Sequence, residues 1–373
     1  MKVLVVAGAR PNFMKVAPVL QALERQGHSR VFVHTGQHYD ASMSDAFFHD
    51  LGLPTPDCHL GVGSGSHATQ TARVMEAFEP VLEASRPDWI VVVGDVNSTL
   101  ACSLVAAKLR ESLGCRIAHV EAGLRSNDWA MPEEVNRVLT DRLSDLLLTP
   151  SRDAAPNLRR EGIEDSRVVF VGNVMIDSLL RMLPHARALE TPRALGVDGA
   201  PYAVATLHRP SNVDDPAQLA LILSAFAELA HDLPILLPMH PRTRGRVRTF
   251  GLDALLAPLR VLEPLGYTEM LSLQAEAAVV LTDSGGIQEE STVLGVPCVT
   301  LRRTTERPVT VSEGTNRLAG WPLTRDGILA TARAALADGR VPVGARAPEG
   351  WDGHAGERVV DALARATLHV ATT

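Results

Sequence analysis

The segment Leu281-Thr282-Asp283-Ser284-Gly285-Gly286-Ile287-Gln288-Glu289-Glu290 runs as strand, Ser-Gly-Gly turn and helix. Backbone N–H groups at such a helix start hold a phosphate, and Ser284 can add its hydroxyl. Glu290, one turn further on, is placed to accept hydrogen bonds from hydroxyls such as those of a ribose. The alternative is a plain glycine-containing turn. A second cluster, Gly8-Ala9-Arg10-Pro11-Asn12-Phe13-Met14-Lys15, follows the first apolar run and puts Arg10 and Lys15 at a helix start, a corner that favours anions. An ordinary turn with two solvated cations would read the same way. His208-Arg209 and Thr305-Glu306-Arg307-Pro308 add further cations.

Three carboxylates complete the candidate chemistry. Asp95 follows the apolar run ending at Val93, and Glu121 ends another at His119-Val120. An Asp at a strand end equally reads as a cap for the following helix, although Asn97 or Ser98 can take that place and leave Asp95 free. Glu121 is harder to explain as structure, because an acid at an apolar strand exit must be paired or working. Glu133 opens a helix after Pro132, where Glu133 and Glu134 also simply favour the helix dipole. Separate carboxylates near one sheet edge suit acid–base work on opposite faces of a substrate. The 13 histidines show no metal-ligand spacing, and His119 or His240 alone reads more readily as structural. No G-x-G-x-x-G or G-x-x-x-x-G-K-[ST] loop is present, which lowers a dinucleotide or ATP reading.

The elements that position these groups are short, continuous, β-branched runs alternating with helical spacing. Strands are expected at Lys2–Ala7, Arg30–Thr35, Trp89–Val93, Arg116–Val120, Leu146–Thr149 and Val168–Val171. Helices are expected at Met14–Gln26, Ala68–Ala84, Ser98–Arg110, Glu133–Leu143 and Ser151–Glu161. The rhythm restarts with strands at Tyr202–Thr206, Pro234–Pro238, Arg260–Leu262, Ala278–Thr282 and Cys298–Leu301, after a Pro- and Gly-rich stretch from Leu183 to Pro201. Runs that are apolar throughout suit parallel strands buried on both faces. The expectation is α/β: two Rossmann-like doubly wound domains at residues 1–185 and 200–350, a final helix within 351–373, and a ligand in the cleft between the domains.

Composition agrees. The 373 residues carry 36 Lys+Arg against 43 Asp+Glu, a net charge of -7, with 46% hydrophobic residues. That is enough for two cores and excludes general disorder. It also argues against nucleic acid as a partner, which needs a basic stripe. No run approaches the roughly 20 apolar residues of a membrane span. Cys58, Cys102, Cys115 and Cys298 are scattered, as in a reducing compartment. A cytoplasmic protein is expected.

G-x-R-P…K-x-A-P near residue 8, GD at 94, HVEAGLRS at 119, MPEEVNR at 131, TLHR at 206, LTDSGGIQEE at 281 and TTERP at 304 occur together and in order. In this the chain closely resembles the non-hydrolysing UDP-N-acetylglucosamine 2-epimerases over essentially its whole length. The resemblance implies a GT-B arrangement, the last helix returning to the first domain, and a homodimer. It implies interconversion of UDP-GlcNAc and UDP-ManNAc without metal or nicotinamide. Position by position it implies nucleotide-sugar contacts from Arg10, Lys15, Asp95, Glu121, His208, Ser284, Gly285, Gly286, Glu290 and Arg307. Asp95, Glu121 and Glu133 match its catalytic carboxylates, and His208 its histidine near the diphosphate. Asn12 and Ser211 stand where a Glu is common, and the loop from Arg125 to Pro132 is shorter than in some members. Tyr39 and Asp40, after Gln37-His38, and Ser66 depart from an activator pocket whose other contacts, Arg209 and His240, match. Allosteric activation is therefore not carried over. A hydrolysing relative, a GT-B transferase and a silent nucleotide-sugar binder are the alternatives.

Overall fold

The computed structural model describes residues 1–36 and 51–371, apart from the side chains of 10, 11 and 369–371. Its contacts divide the chain into two compact units, Met1–Arg181 with Glu349–Thr373, and Met182–Pro348. Both are parallel α/β sheets covered by helices, the α/β class expected.

In the first unit the strands are β1 (Lys2–Ala7), β2 (Ser29–His34), β3 (Cys58–His59), β4 (Trp89–Val93), β5 (Arg116–Val120), β6 (Leu146–Thr149) and β7 (Val168–Phe170). They lie in the order β3-β2-β1-β4-β5-β6-β7, all parallel. The central β4 (WIVVV) is buried along its whole length, which accounts for its unbroken apolar run. The helices are α1 (Arg10–Arg25), α2 (His67–Ser85), α3 (Asn97–Leu113), α4 (Pro132–Leu143) and α5 (Ala154–Arg160), with α6 (Val174–Ala188) running past the division between the units.

In the second unit the helices include α7 (Thr191–Ala194), α8 (Pro210–Val213), α9 (Pro216–Leu229), α10 (Pro241–Phe250), α11 (Tyr267–Glu276), α12 (Gly285–Leu294), α13 (Val309–Ser312) and α14 (Arg325–Asp338). The strands β8 (Ala203–Thr206), β9 (Ile235–Pro238), β10 (Arg260–Leu262), β11 (Val279–Thr282), β12 (Cys298–Thr300) and β13 (Asn316–Leu318) lie in the order β10-β9-β8-β11-β12-β13. Their core is built on Leu223, Phe226, Leu237, Leu281 and Ile328, all essentially inaccessible.

The last helix, α15 (Ala355–Ala371), belongs to the first unit. Asp177 accepts from the Ala355 and Gly356 N–H groups at 3.1 and 2.7 Å. A Cβ at Gly356 would lie 2.7 Å from the Pro18 backbone, so only glycine allows α15 this close to α1.

Each sheet reverses its strand order once, between β1 and β4 and between β8 and β11. Loops leaving the carboxyl ends of the two strands at such a point diverge and leave a crevice for ligands. The loops concerned are 8–9 and 94–96 in one unit, and 207–209 and 283–284 in the other.

Candidate active-site corners

In the first unit the turn from β1 into α1 is held by Asn12. Its Oδ1 accepts from Ala9 N–H at 3.0 Å and its Nδ2 donates to the Val93 carbonyl at 3.0 Å. A Glu in that place would accept the first bond but lacks the donor for the second. α1 starts at Arg10, so Lys15 lies in its second turn, not at the helix start expected from the sequence. There, nearly inaccessible, it forms an ion pair with Glu121. Glu121 is thus paired rather than bare, and its backbone is left-handed at φ 74°. Gly94, at φ 68°, lies against this pair: a Cβ on it would stand 3.1 Å from the Lys15 Nζ.

Asp95 caps nothing. The cap position of α3 is Val96, with no side-chain bond to it, and neither Asn97 nor Ser98 takes that place. Asn97 is instead in a buried amide chain: its Nδ2 donates to Gln70 at 2.8 Å, and its Oδ1 faces His67 and Asn136. Ser98 pairs with Thr35 at 2.8 Å. The Asp95 carboxylate meets the buried guanidinium of Arg137 at 3.0 Å, while Asn136 donates to the Asp95 carbonyl at 2.9 Å.

Glu133 and Glu134, alike in sequence, part company here. Glu134 is buried and accepts from Ser126 N–H and Oγ, from Asn127 N–H and from Arg137. Glu133 is half-buried and, among the described residues, makes no hydrogen bond or ion pair, so its carboxylate is available for other work. Behind these groups His119 is fully buried, with Nδ1 at 2.6 Å from Asp141 and Nε2 at 2.8 Å from the Gly94 carbonyl. Asp141 also takes Gly123 N–H and Arg125, and Arg125 forks onto Glu161. Burial alone would raise the Asp141 pKa, but His119 and Arg125 outweigh it and hold the carboxyl below its usual range.

The second unit's corner is organised by a residue to which sequence reasoning gave no role. Asp283, inaccessible at the exit of β11, accepts from the N–H groups of His208 and Arg209, from Asn212 Nδ2 at 3.2 Å, and from His208 Nδ1 at 2.9 Å. Burial pushes its pKa up, but the His208 ring and these N–H groups bring it below the usual value. With Nδ1 given to Asp283, the His208 ring turns Nε2 outward, and its side chain is 41% exposed. The strand-exit rule applied to Asp95 and Glu121 would have singled out Asp283 as well.

Ser284 is the cap position of α12, and its side chain makes no cap bond. Gly285 and Gly286 form the first turn, and a Cβ at Gly285 would stand 2.6 Å from the Arg307 Nη1. Arg307 in turn bonds Glu306 at 2.6 Å and Glu289 at 2.9 Å, and Glu306 also holds Arg302 at 2.8 Å. Glu290 lies buried in α12 facing Tyr267 and Gln274, and burial pushes its pKa up to about 7. His240 caps α10, accepting from Arg242 N–H at 3.1 Å, with its ring centroid 6.3 Å from that of His208. Burial first, then His208, lowers its pKa.

Arg10 begins α1, but its side chain is not among those described, and Gln37, His38, Tyr39 and Asp40 lie outside the described residues. Ser66 caps α2, accepting from Thr69 N–H, and Ser211 is exposed in α8. Among the described residues no group of His, Cys, Asp and Glu is arranged to hold a metal ion, and no helix is long and apolar enough to cross a membrane.

A family model described as UDP-N-acetylglucosamine 2-epimerase matches residues 21–364. The chain is 44% identical over 328 residues to a UDP-N-acetylglucosamine 2-epimerase of Methanocaldococcus jannaschii, covering 86% of this chain and 88% of that one. It is also 44% identical over 340 residues to a UDP-2,3-diacetamido-2,3-dideoxy-D-glucuronate 2-epimerase of Pseudomonas aeruginosa, covering 90% and 92%. Among solved structures, the M. jannaschii UDP-GlcNAc 2-epimerase in complex with UDP-GlcNAc and UDP gives a TM-score of 0.86 at 40% identity, over 98% of this chain and all of that one. The Neisseria meningitidis UDP-GlcNAc 2-epimerase bound to UDP-GlcNAc gives 0.85 at 28% identity. With a match over most of its length and relatives this similar, the chain belongs to the UDP-N-acetylglucosamine 2-epimerase family.

Proposed function

We propose that this epimerase interconverts UDP-GlcNAc and UDP-ManNAc without releasing free sugar. The hydrogen on carbon 2 is not acidic, so simple deprotonation does not serve. A carboxylate takes that proton while the C1–O bond breaks, its electron pair leaves with UDP, and a C1–C2 double bond forms. A proton delivered to carbon 2 from the other face, with UDP oxygen re-forming the C1 bond, inverts the centre. The first unit supplies the acid–base set, Asp95, Glu121 and Glu133 with Lys15 beside them. The second supplies the UDP corner: His208, oriented by Asp283, would bear on the departing diphosphate. There the N–H groups of Gly285 and Gly286 at the start of α12, the Ser284 hydroxyl and the cation Arg307 would hold phosphate, and Glu290 the ribose. Arg10, Arg209 and His240 complete the contacts assigned to substrate.

The observation that carries this reading is the division of labour at 133–134. One acid is consumed by the fold and its neighbour is left unengaged beside a switch-point corner. A homodimer fits the exposed Trp129 and Leu139 around α4, and free cysteines fit the cytoplasm. The relative of equal identity that acts on a diacetamido glucuronate makes its nucleotide sugar the second substrate to try.

The test is NMR of the protein with each nucleotide sugar in deuterated water. UDP-ManNAc carrying deuterium at carbon 2 is the expected product. Free N-acetylmannosamine would mean a hydrolysing enzyme, and an unchanged spectrum would mean a binding protein.

A further inference from the structure

We propose that Arg137 is a positioning residue for Asp95: its guanidinium keeps that carboxylate charged and aimed, and ties it through Glu134 to the backbone at 126–127. The inference deepens the reading of Asp95 as part of the acid–base set, and its geometry is specific. Arg137 Nε and one Nη both reach Asp95 Oδ2 at 3.0 Å, while the other Nη bonds Glu134. The Arg137 side chain is 3% exposed and that of Asp95 26%. The cation is therefore the buried anchor, and the carboxylate is the member that faces outward.

Glu134 does not use up this cation. Its oxygens already accept from Ser126 N–H, Ser126 Oγ and Asn127 N–H, which share its negative charge. The remaining attraction of this buried guanidinium falls on Asp95, and an opposite charge at hydrogen-bond distance shifts a carboxyl by about 1–3 pH units. The other groups around Asp95 come from several elements. Lys15 of α1 lies at Gly94 but is paired with Glu121, His119 of β5 holds the Gly94 carbonyl, and His67 of α2 reaches Asn97. Lys15 and His119 each have a carboxylate partner of their own, Glu121 and Asp141. Arg137 donates its hydrogen bonds to the Asp95 carboxylate itself.

A residue that merely pinned α4 would leave the titration of Asp95 alone, so the test reads that titration. Aspartate labelled with carbon-13 at the carboxyl gives Asp95 an NMR signal, identified by its loss in Asp95→Asn. In the full-length protein without substrate, Arg137→Gln should raise the Asp95 midpoint by about one pH unit or more. Arg137→Lys, which keeps the charge, should restore most of that change. Glu134→Gln removes the competing carboxylate and should move the midpoint down, so this variant decides the matter if Arg137→Gln does not fold. A midpoint that stays in place in these variants overturns the proposal. In turnover, Arg137→Gln should move the acid limb of the kcat profile up with KM within a few-fold. The titration requires no substrate, so it separates failure of this inference from failure of the epimerase assignment.

Discussion

Glu290 allows the nucleotide corner to be tested with pH. Its pKa, pushed up to about 7 mainly by burial, leaves the carboxyl about half neutral at neutral pH. If ribose hydroxyls donate to it in the complex, the bound form is the carboxylate. Binding must then expel a proton wherever the free protein still holds it. At pH 6 about nine-tenths of the free protein does, so close to one proton should leave per UDP bound, and affinity should be about tenfold lower than at pH 8, ~1.4 kcal/mol. UDP's own terminal phosphate titrates near pH 6, so the quantity to follow is the difference between wild type and Glu290→Gln. Calorimetry in two buffers of different ionisation heat reads it directly. Glu290→Ala should weaken UDP binding by roughly 1–3 kcal/mol at pH 8, where the charged acceptor is lost. Stability supplies a second arm with a fixed sign. The folded pKa lies above the ordinary 4.5, so the group's contribution is fully present below that value and is lost as pH rises through about 7. The amount is about 3 kcal/mol. Glu290→Gln should therefore melt above wild type at pH 8, with the gap closing toward pH 5. Equal proton release from wild type and Glu290→Gln, with a melting gap that ignores pH, would refute the reasoning.

Asp95→Asn, Glu121→Gln and Glu133→Gln should each lower turnover by about 10²–10⁴-fold with UDP affinity within a few-fold, measured by deuterium incorporation and calorimetry. Near-normal turnover in all three would end the acid–base mechanism, whereas normal turnover with a lower melting temperature in Glu133→Gln alone would return that residue to the helix dipole. Asp283→Asn should lower turnover by a comparable factor by freeing the His208 ring. It should also remove the stability that the depressed Asp283 pKa gives above the usual carboxylate range, so the melting gap to wild type narrows as pH falls through that depressed value.

The sheets were legible because burial writes itself into composition. Lys2–Ala7, Trp89–Val93, Arg116–Val120 and Leu146–Thr149 are strands at the bounds their apolar runs suggest. The edge strands Cys58–His59 and Asn316–Leu318 escaped, since two or three half-covered residues leave no run to see. The stretch after Leu183 looked broken because of Pro184, yet α6 carries that proline inside it, as α1 carries Pro18 and α2 Pro80. Asp95 and Glu121 were visible as acids at apolar strand exits. Arg137 and Asp141 were not, because their partners lie 42 and 22 positions away and no local spacing records such a pairing. The same limit hid the difference between Glu133 and Glu134, which are decided by donors on the loop at 126–127.

The left-handed backbone of Glu121 and its burial against Lys15 also constrain how this sequence can drift. Left-handed backbone favours glycine or asparagine, and a glutamate there gives up about 1–2 kcal/mol. Taken alone, Glu121→Gly would therefore firm up the chain. It would also strand the Lys15 ammonium in a dry site, a loss of about 3–5 kcal/mol that reverses the gain. Replacing Lys15 first strands the carboxylate instead. Neither single step leads downhill, so positions 15 and 121 behave as one hereditary letter that can be rewritten only in both places at once. A stability screen blind to catalysis would still tend to keep the pair, and laboratory selection would have to mutate the two codons together to escape it.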